Sequence, residues 1–142
     1  MIITQESPDQ PDIIALVDKH DAYCSELYPF EFLLIGIAWL ADPRVVFLVA
    51  RDAHGIAIGY GVYVNRGSYA EVIRLYVDTS HRLQGIGSKL LAELTRRAAG
   101  ASLKLKTGIR EVEAIALYRR EGFTELHSSG HYREFMLLER SL

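Results

Sequence analysis

Gly85 and Gly87 stand one residue apart in "RLQGIGSK", residues 82–89, where an apolar run gives way to an amphipathic one. At the start of a helix such a loop presents successive backbone N–H groups with no Cβ in the way, and so can hold phosphate oxygens. A nucleoside-triphosphate loop would need its lysine directly after the last glycine, and Lys89 comes one place late. A dinucleotide fingerprint would need a third glycine where Leu90 stands. A pyrophosphate cradle fits the loop; alternatively the glycines only let a strand turn closely into a helix. Upstream, Glu71 alternates with Ile73, Leu75 and Val77, an acid on an apolar stripe. That carboxylate is either ion-paired, for instance with Arg51, or desolvated and able to act as a general base. Tyr118 reads as a packed aromatic or as a phenol that stays protonated at neutral pH and can give up its proton.

These residues need elements to position them. A strand at Met1–Thr4 is followed by Ser7-Pro8, a cap and first-turn pair for a helix whose apolar face carries Ile13, Leu16, Val17 and Leu27. A second helix is expected at about Leu33 to Ala41, stopped by Asp42-Pro43. Three strand-like runs, 45–50, 56–64 and 69–77, follow with tight turns between them, which implies antiparallel hairpins. Ile86, Leu90, Leu94 and Ala98 then recur every four residues and mark a helix with one buried stripe. "SLKLK" is a strand, "EVEAIALYRREG" a helix ended by Gly122, and two last strands flank Ser128-Ser129-Gly130. The order predicts an α+β domain with a mixed, mostly antiparallel sheet of about seven strands flanked by four helices. Tyr69 to Lys106 is its one parallel crossover.

Composition bounds the partners. The 142 residues, 49% hydrophobic and 24% charged, make one domain, 1–142, with a real core. A net charge of -2 argues against nucleic acid. The opening "MIITQESPDQ" lacks a signal-peptide pattern and no run is long enough for a membrane span, so the chain reads as soluble and cytoplasmic. Cys24 is the single cysteine, which leaves no intramolecular disulfide. The histidines, at 20, 54, 81, 127 and 131, have no metal-ligand spacing, so no metal is expected.

The Arg82-x-x-Gly85-x-Gly87 pattern resembles the Arg/Gln-x-x-Gly-x-Gly/Ala signature of the Gcn5-related N-acetyltransferase (GNAT) family. About thirty residues on, Ala114, Leu117, Tyr118, Gly122 and Phe123 match that family's Ala-x-x-Leu-Tyr-x-x-x-Gly-Phe block. The resemblance implies a three-layer acyl-CoA N-acyltransferase fold and acetyl-CoA as cosubstrate. The backbone of Arg82, Leu83, Gln84, Gly85, Ile86, Gly87 and Ser88 would wrap the diphosphate. The pantetheine arm would run beside Leu75, Tyr76 and Val77 like an added strand, between Tyr69–Val77 and Leu103–Lys106. Glu111, Ala114, Leu117 and Tyr118 would complete the site.

In that reading Tyr118 protonates the leaving thiolate, Glu71 takes the proton of the amine, and the Val77 N–H stabilises the oxyanion. Leu83 stands where the family often has glycine, and Glu111 where it often has asparagine, so Glu111 is either a cofactor contact or an acid favoured by the helix dipole. The implied activity is acetyl-CoA-dependent N-acetyl transfer by direct attack of a small-molecule or peptide amine. A non-catalytic acyl-CoA-binding module and another short acyl donor are the alternatives. The acceptor pocket is expected around Tyr23 to Phe32, the Tyr63–Tyr69 turn and His131-Tyr132, with Tyr23, Tyr28, Tyr69 and Tyr132 as an aromatic mouth. By analogy, dimerisation would use the C-terminal strands.

Overall fold

The computed structural model describes residues 1–27, 40–126 and 135–140. Its strands are β1 (Ile2–Gln5), β2 (Val45–Arg51), β3 (Ala57–Asn65), β4 (Tyr69–Val77), β5 (Ser102–Gly108), β6 (Thr124–Glu125) and β7 (Phe135–Arg140). Its helices are α1 (Pro11–Leu27), α2 (Ile86–Arg97) and α3 (Val112–Arg120), with a 3₁₀ turn at Thr79–His81. The strands form one seven-stranded sheet in the order β1-β2-β3-β4-β5-β7-β6. Each neighbouring pair is antiparallel except β4 with β5, the expected crossover through α2. The helix expected at about Leu33 to Ala41 falls almost wholly outside the described residues, as does the Ser128-Ser129-Gly130 turn. Three α-helices are therefore described instead of four.

The first helix starts later than expected. Ser7 accepts a hydrogen bond from the Asp9 N–H, and Pro11 opens the helix, where its missing N–H costs nothing. Ile13, Leu16, Val17, His20 and Cys24 form the buried stripe of α1. It packs on one face of the sheet against Phe47, Tyr60, Val62 and Tyr76. On the other face Ile86, Leu90, Leu91 and Leu94 of α2 pack with Val72, Leu103 and Leu105 and with Tyr118 of α3. Burying each such leucine stabilises the fold by roughly 1.5–3 kcal/mol.

Two irregularities in β4 shape what lies beside it. Tyr69–Val72 pair with Ser102–Leu105, and there the β4–β5 ladder stops. Both strands continue, β4 along β3 to Val77 and β5 along β7 to Gly108, so their ends splay apart. Second, Val62 faces Arg74 while the next residue, Tyr63, faces Val72, leaving Ile73 as a bulge. A bulge shifts side-chain alternation by one. Ala70 and Val72 thus share the α2 face with Leu75 and Val77, whereas Ile73 and Tyr76 pack toward α1. The expectation that Glu71 shares a face with Leu75 and Val77 is thereby corrected, because the bulge separates them.

Candidate active site

The splay opens into a cleft of about 350 Å³. Leu75, Tyr76 and Val77 form its β4 wall, and Arg82, Leu83, Gly85, Ile86, Gly87 and Ser88 its loop and α2 end. Glu111, Ala114 and Leu117 come from the α3 side, and His20 and Tyr23 from α1. Of the residues predicted for the cofactor, Gln84 and Tyr118 are the two outside this lining. Tyr118 sits behind it, 6% exposed, its ring edge-on to Phe123 at 5.7 Å.

The loop's backbone is built for an anion. Gly85 is the N-cap of α2 with φ +75°, in the left-handed region, and no side chain caps the helix. The first N–H groups of α2 thus lack a side-chain partner and carry the positive end of the helix dipole. A Cβ on Gly87 would come within 3.0 Å of the Leu117 side chain, so glycine lets the loop approach α3. These features fit a pyrophosphate. Leu83, fully exposed, takes φ +64°, a conformation that a residue with a Cβ adopts only under strain.

The open edge of β4 has a defined polarity. The Asp78 N–H bonds to the Ile58 carbonyl, so Val77, paired with Gly59, directs its own N–H and C=O away from β3 and toward the splay. Leu75, two residues back, does the same. The Val77 carbonyl receives Arg82 Nε at 3.2 Å, which leaves the Val77 N–H on that edge. Arg82 also bonds Glu113 of α3 and lies over the rings of Tyr23 and Tyr76, 5.4 and 5.7 Å from their centroids.

Charge is arranged asymmetrically around the cleft. Glu111 does not cap its own helix; its Oε2 accepts the Gly108 N–H at 2.8 Å and the Thr107 hydroxyl at 3.3 Å. Burial nevertheless raises its pKa. Burial, reinforced by the charge of Glu111, also lifts the Tyr118 phenol well above its ordinary value and pushes the Cys24 thiol up to about 12. Glu71 lies elsewhere: Arg66 holds it at 2.9 Å, near the start of β4 and outside the lining. The ion-pair alternative therefore describes its surroundings, with Arg66 in place of Arg51, which bonds Glu6 and Asp12.

The expected aromatic mouth is only partly visible. Tyr23 lines the cleft. Tyr63 donates to the Arg97 carbonyl at the far end of α2, and Tyr69 carries Lys104 over its ring, so the 63–69 turn does not contribute. Tyr28, His131 and Tyr132 lie outside the described residues. Donor atoms of His20, Cys24 and Glu111 converge within 4.8 Å of one another. They do not read as a cation site. Glu111 Oε2 already has two donors, Cys24 is held as a thiol, and Arg74 and Arg82 surround His20 with positive charge.

The family model of the acetyltransferase (GNAT) domain matches residues 43–125, which span β2 to β6 and contain both the glycine loop and α3. The chain belongs to the GNAT acetyltransferase family. Membership accounts for acetyl-CoA as cosubstrate and N-acetyl transfer as the activity. A protein from Azospirillum brasilense, IAA acetyltransferase, is 39% identical over 136 residues, covering 92% of this chain and 88% of its own length. A Klebsiella pneumoniae structure assigned to the acyl-CoA N-acyltransferases superposes with a TM-score of 0.80 at 31% identity, over 98% of this chain and 95% of the other. The PaiA N-acetyltransferase of Thermoplasma acidophilum, solved with coenzyme A, shares the fold at a TM-score of 0.74 and 18% identity, with both chains fully covered. Among the described residues, no helix is long and apolar enough to cross a membrane.

Of the two α1 residues that line the cleft of this GNAT domain, Tyr23 was expected from the sequence and His20 was missed. His20 was available as a titratable group on the same helical stripe as Leu16, Val17 and Cys24. Its hydrogen bond to Tyr60 of the sheet could not be read from spacing.

Proposed function

We propose that the cleft between β4 and β5 binds acetyl-CoA with the diphosphate on the α2 N-terminus and the pantetheine along the edge of Leu75 and Val77. The observation that carries this reading is the open strand edge, which offers main-chain groups to an extended arm as a neighbouring strand would. The acceptor is a small-molecule or peptide amine that enters from the side of Tyr23 and attacks the acetyl carbon directly. A C–N bond forms as the C–S bond breaks, and the electron pair leaves on sulfur.

Three groups divide the remaining work. The Val77 N–H receives the charge that builds on the acetyl oxygen. Glu111 takes the amine's proton in place of Glu71, since it lines the cleft, keeps Oε1 outside its two hydrogen bonds, and has a pKa raised toward that of a useful base. Tyr118, whose ring packs behind the lining beside Leu117, would reach the sulfur with its hydroxyl alone; it stays protonated and gives a hydrogen bond, but a phenol this weakly acidic would not complete the proton transfer, which falls to solvent.

A thiol-release screen of amine classes with acetyl-CoA tests the proposal, with succinyl-CoA in parallel. Release with acetyl-CoA and an amine is the expected result. Saturable acetyl-CoA binding with no release for any amine would instead make the protein a binding module. Faster release with the longer donor would reassign the acyl group. Localisation in the cytoplasm and a homodimer through the C-terminal strands belong to the same proposal, the latter checked by light scattering.

A further inference from the structure

The inner end of the cleft holds a polar chain that no step above uses. His20 Nδ1 lies 2.5 Å from the Tyr60 hydroxyl, and Arg74 donates an N–H to that same oxygen at 3.1 Å. Arg74 in turn contacts Asp21 at 2.8 Å, and both Tyr60 and Arg74 are buried. An arginine is always a donor, so one lone pair of the Tyr60 oxygen is committed to it. The hydroxyl hydrogen of Tyr60, at 0% exposure, then needs an acceptor, and His20 Nδ1 is the one in reach. That direction of bonding fixes the tautomer of His20, with Nδ1 bare and the proton on Nε2.

The ring's setting determines which atom meets the cleft. Nδ1 points into the protein, and the Tyr76 ring covers one face of the imidazole at 4.8 Å and 17°. His20 still lines the cleft, and Nε2 is the polar atom left to do so. We infer that His20 offers its Nε2–H to the cleft as a second hydrogen-bond donor to the acetyl oxygen, with Arg74 and Tyr60 as the residues that hold the proton there. This rests on the acetyl-transfer reading and adds a catalytic residue from α1. No proton moves to or from His20 during the C–N bond formation and C–S cleavage; it only bonds more strongly as charge gathers on oxygen.

The surroundings keep the imidazole uncharged. Burial, then Arg74 and Arg82, bring its pKa down to about 3. Asp21 and Cys24 from α1, Tyr60 from β3, Tyr76 from β4 and Glu111 from the start of α3 are the other titratable groups around it. None of them reverses that direction. An uncharged imidazole with a fixed N–H is a donor that does not compete as a base for the amine's proton.

The test is ¹⁵N NMR of the histidine-labelled protein and of a Tyr60→Phe variant without substrate, with kinetics of two His20 variants. The expected spectrum shows His20 with Nε2 protonated and Nδ1 bare from pH 8 to about 5. His20→Ala should lower kcat roughly tenfold to a hundredfold with little change in the KM for acetyl-CoA. His20→Gln, which keeps an N–H near the same place, should recover part of that loss. In Tyr60→Phe the ring should lose its fixed tautomer, seen as averaged nitrogen shifts. A wild-type spectrum with Nδ1 protonated, or a His20→Ala variant as fast as the parent, overturns the inference. If the wild-type protein releases no thiol with any amine, the transferase reading falls and takes the inference with it, which the spectrum distinguishes from a wrong tautomer alone.

Discussion

Arg82 and Glu113 form a 2.7 Å ion pair that ties the glycine loop to the first turn of α3. The same guanidinium holds the Val77 carbonyl and lies over Tyr23 and Tyr76, so one side chain touches every wall of the cleft. Glu113 is 75% exposed, and the anionic diphosphate would compete with it for Arg82. An exposed pair of this kind contributes at most about 1 kcal/mol. Glu113→Gln should therefore tighten acetyl-CoA binding by at most about fivefold, and added salt should shrink the difference. Calorimetric titration of both proteins at two salt concentrations reads this. Weaker binding in the variant would mean that Glu113 organises the loop.

Leu83 bears the strain that glycine would avoid. With its side chain in solvent and φ at +64°, Leu83→Gly removes strain at no packing cost and should raise stability by roughly 1 kcal/mol. Thermal unfolding should show a Tm higher by a few degrees. Gly87→Ala should do the reverse, because its Cβ meets Leu117 at 3.0 Å, and should also weaken acetyl-CoA binding. An unchanged affinity in Gly87→Ala would remove the loop from the cosubstrate site.

Acid should unfold the protein in two overlapping stages. His20 has a folded pKa of about 3, below its unfolded value near 6.5, so its contribution is fully present above pH 6.5 and is lost as the pH falls toward 3. Glu6, held by Arg51, has a folded pKa of about 2, and its contribution is lost between about 4.5 and 2. Urea unfolding from pH 8 to 4 should be flat above neutrality and decline below. His20→Gln should flatten the portion between pH 6.5 and 4.5. A decline of equal slope in that variant would assign the early stage to other groups.

Much of this was legible in the sequence because its signals are local. The strand–helix–strand from β4 to β5 and the helix of α3 follow from spacing and alternation, the glycine loop and the Ala114–Phe123 block from their resemblance to the family's motifs, and the structure has these elements as read. The bulge at Ile73 was not legible, since no residue type in Tyr69–Val77 marks an extra residue and only the pairing with β3 reveals it. That one slip moved Glu71 away from Leu75 and Val77. The start of α1 at Pro11 rather than Pro8 was equally hidden, because a proline suits the first turn at either place. The polar chain from Arg74 through Tyr60 to His20 joins α1, β3 and β4, and no sequence spacing encodes such a contact.

Tyr118 separates the roles of binding and turnover. Its ring is core packing against Phe123, so Tyr118→Phe keeps the shape and removes only the hydroxyl. Acetyl-CoA affinity should hold while kcat drops tenfold or more, with no new pH dependence between 6 and 9. Stopped-flow thiol release measures the drop, and an undiminished kcat would confine the residue to packing.

The splay between β4 and β5 is the proposed seat of acetyl transfer to an amine. The most direct measurement follows thiol release and acetylated amine together, by absorbance and mass spectrometry, in one reaction with acetyl-CoA. One thiol should be released for each amine acetylated, with saturation in both substrates. Saturable binding of acetyl-CoA with no acetylated product across aminoglycosides, polyamines, amino acids and peptides would contradict it.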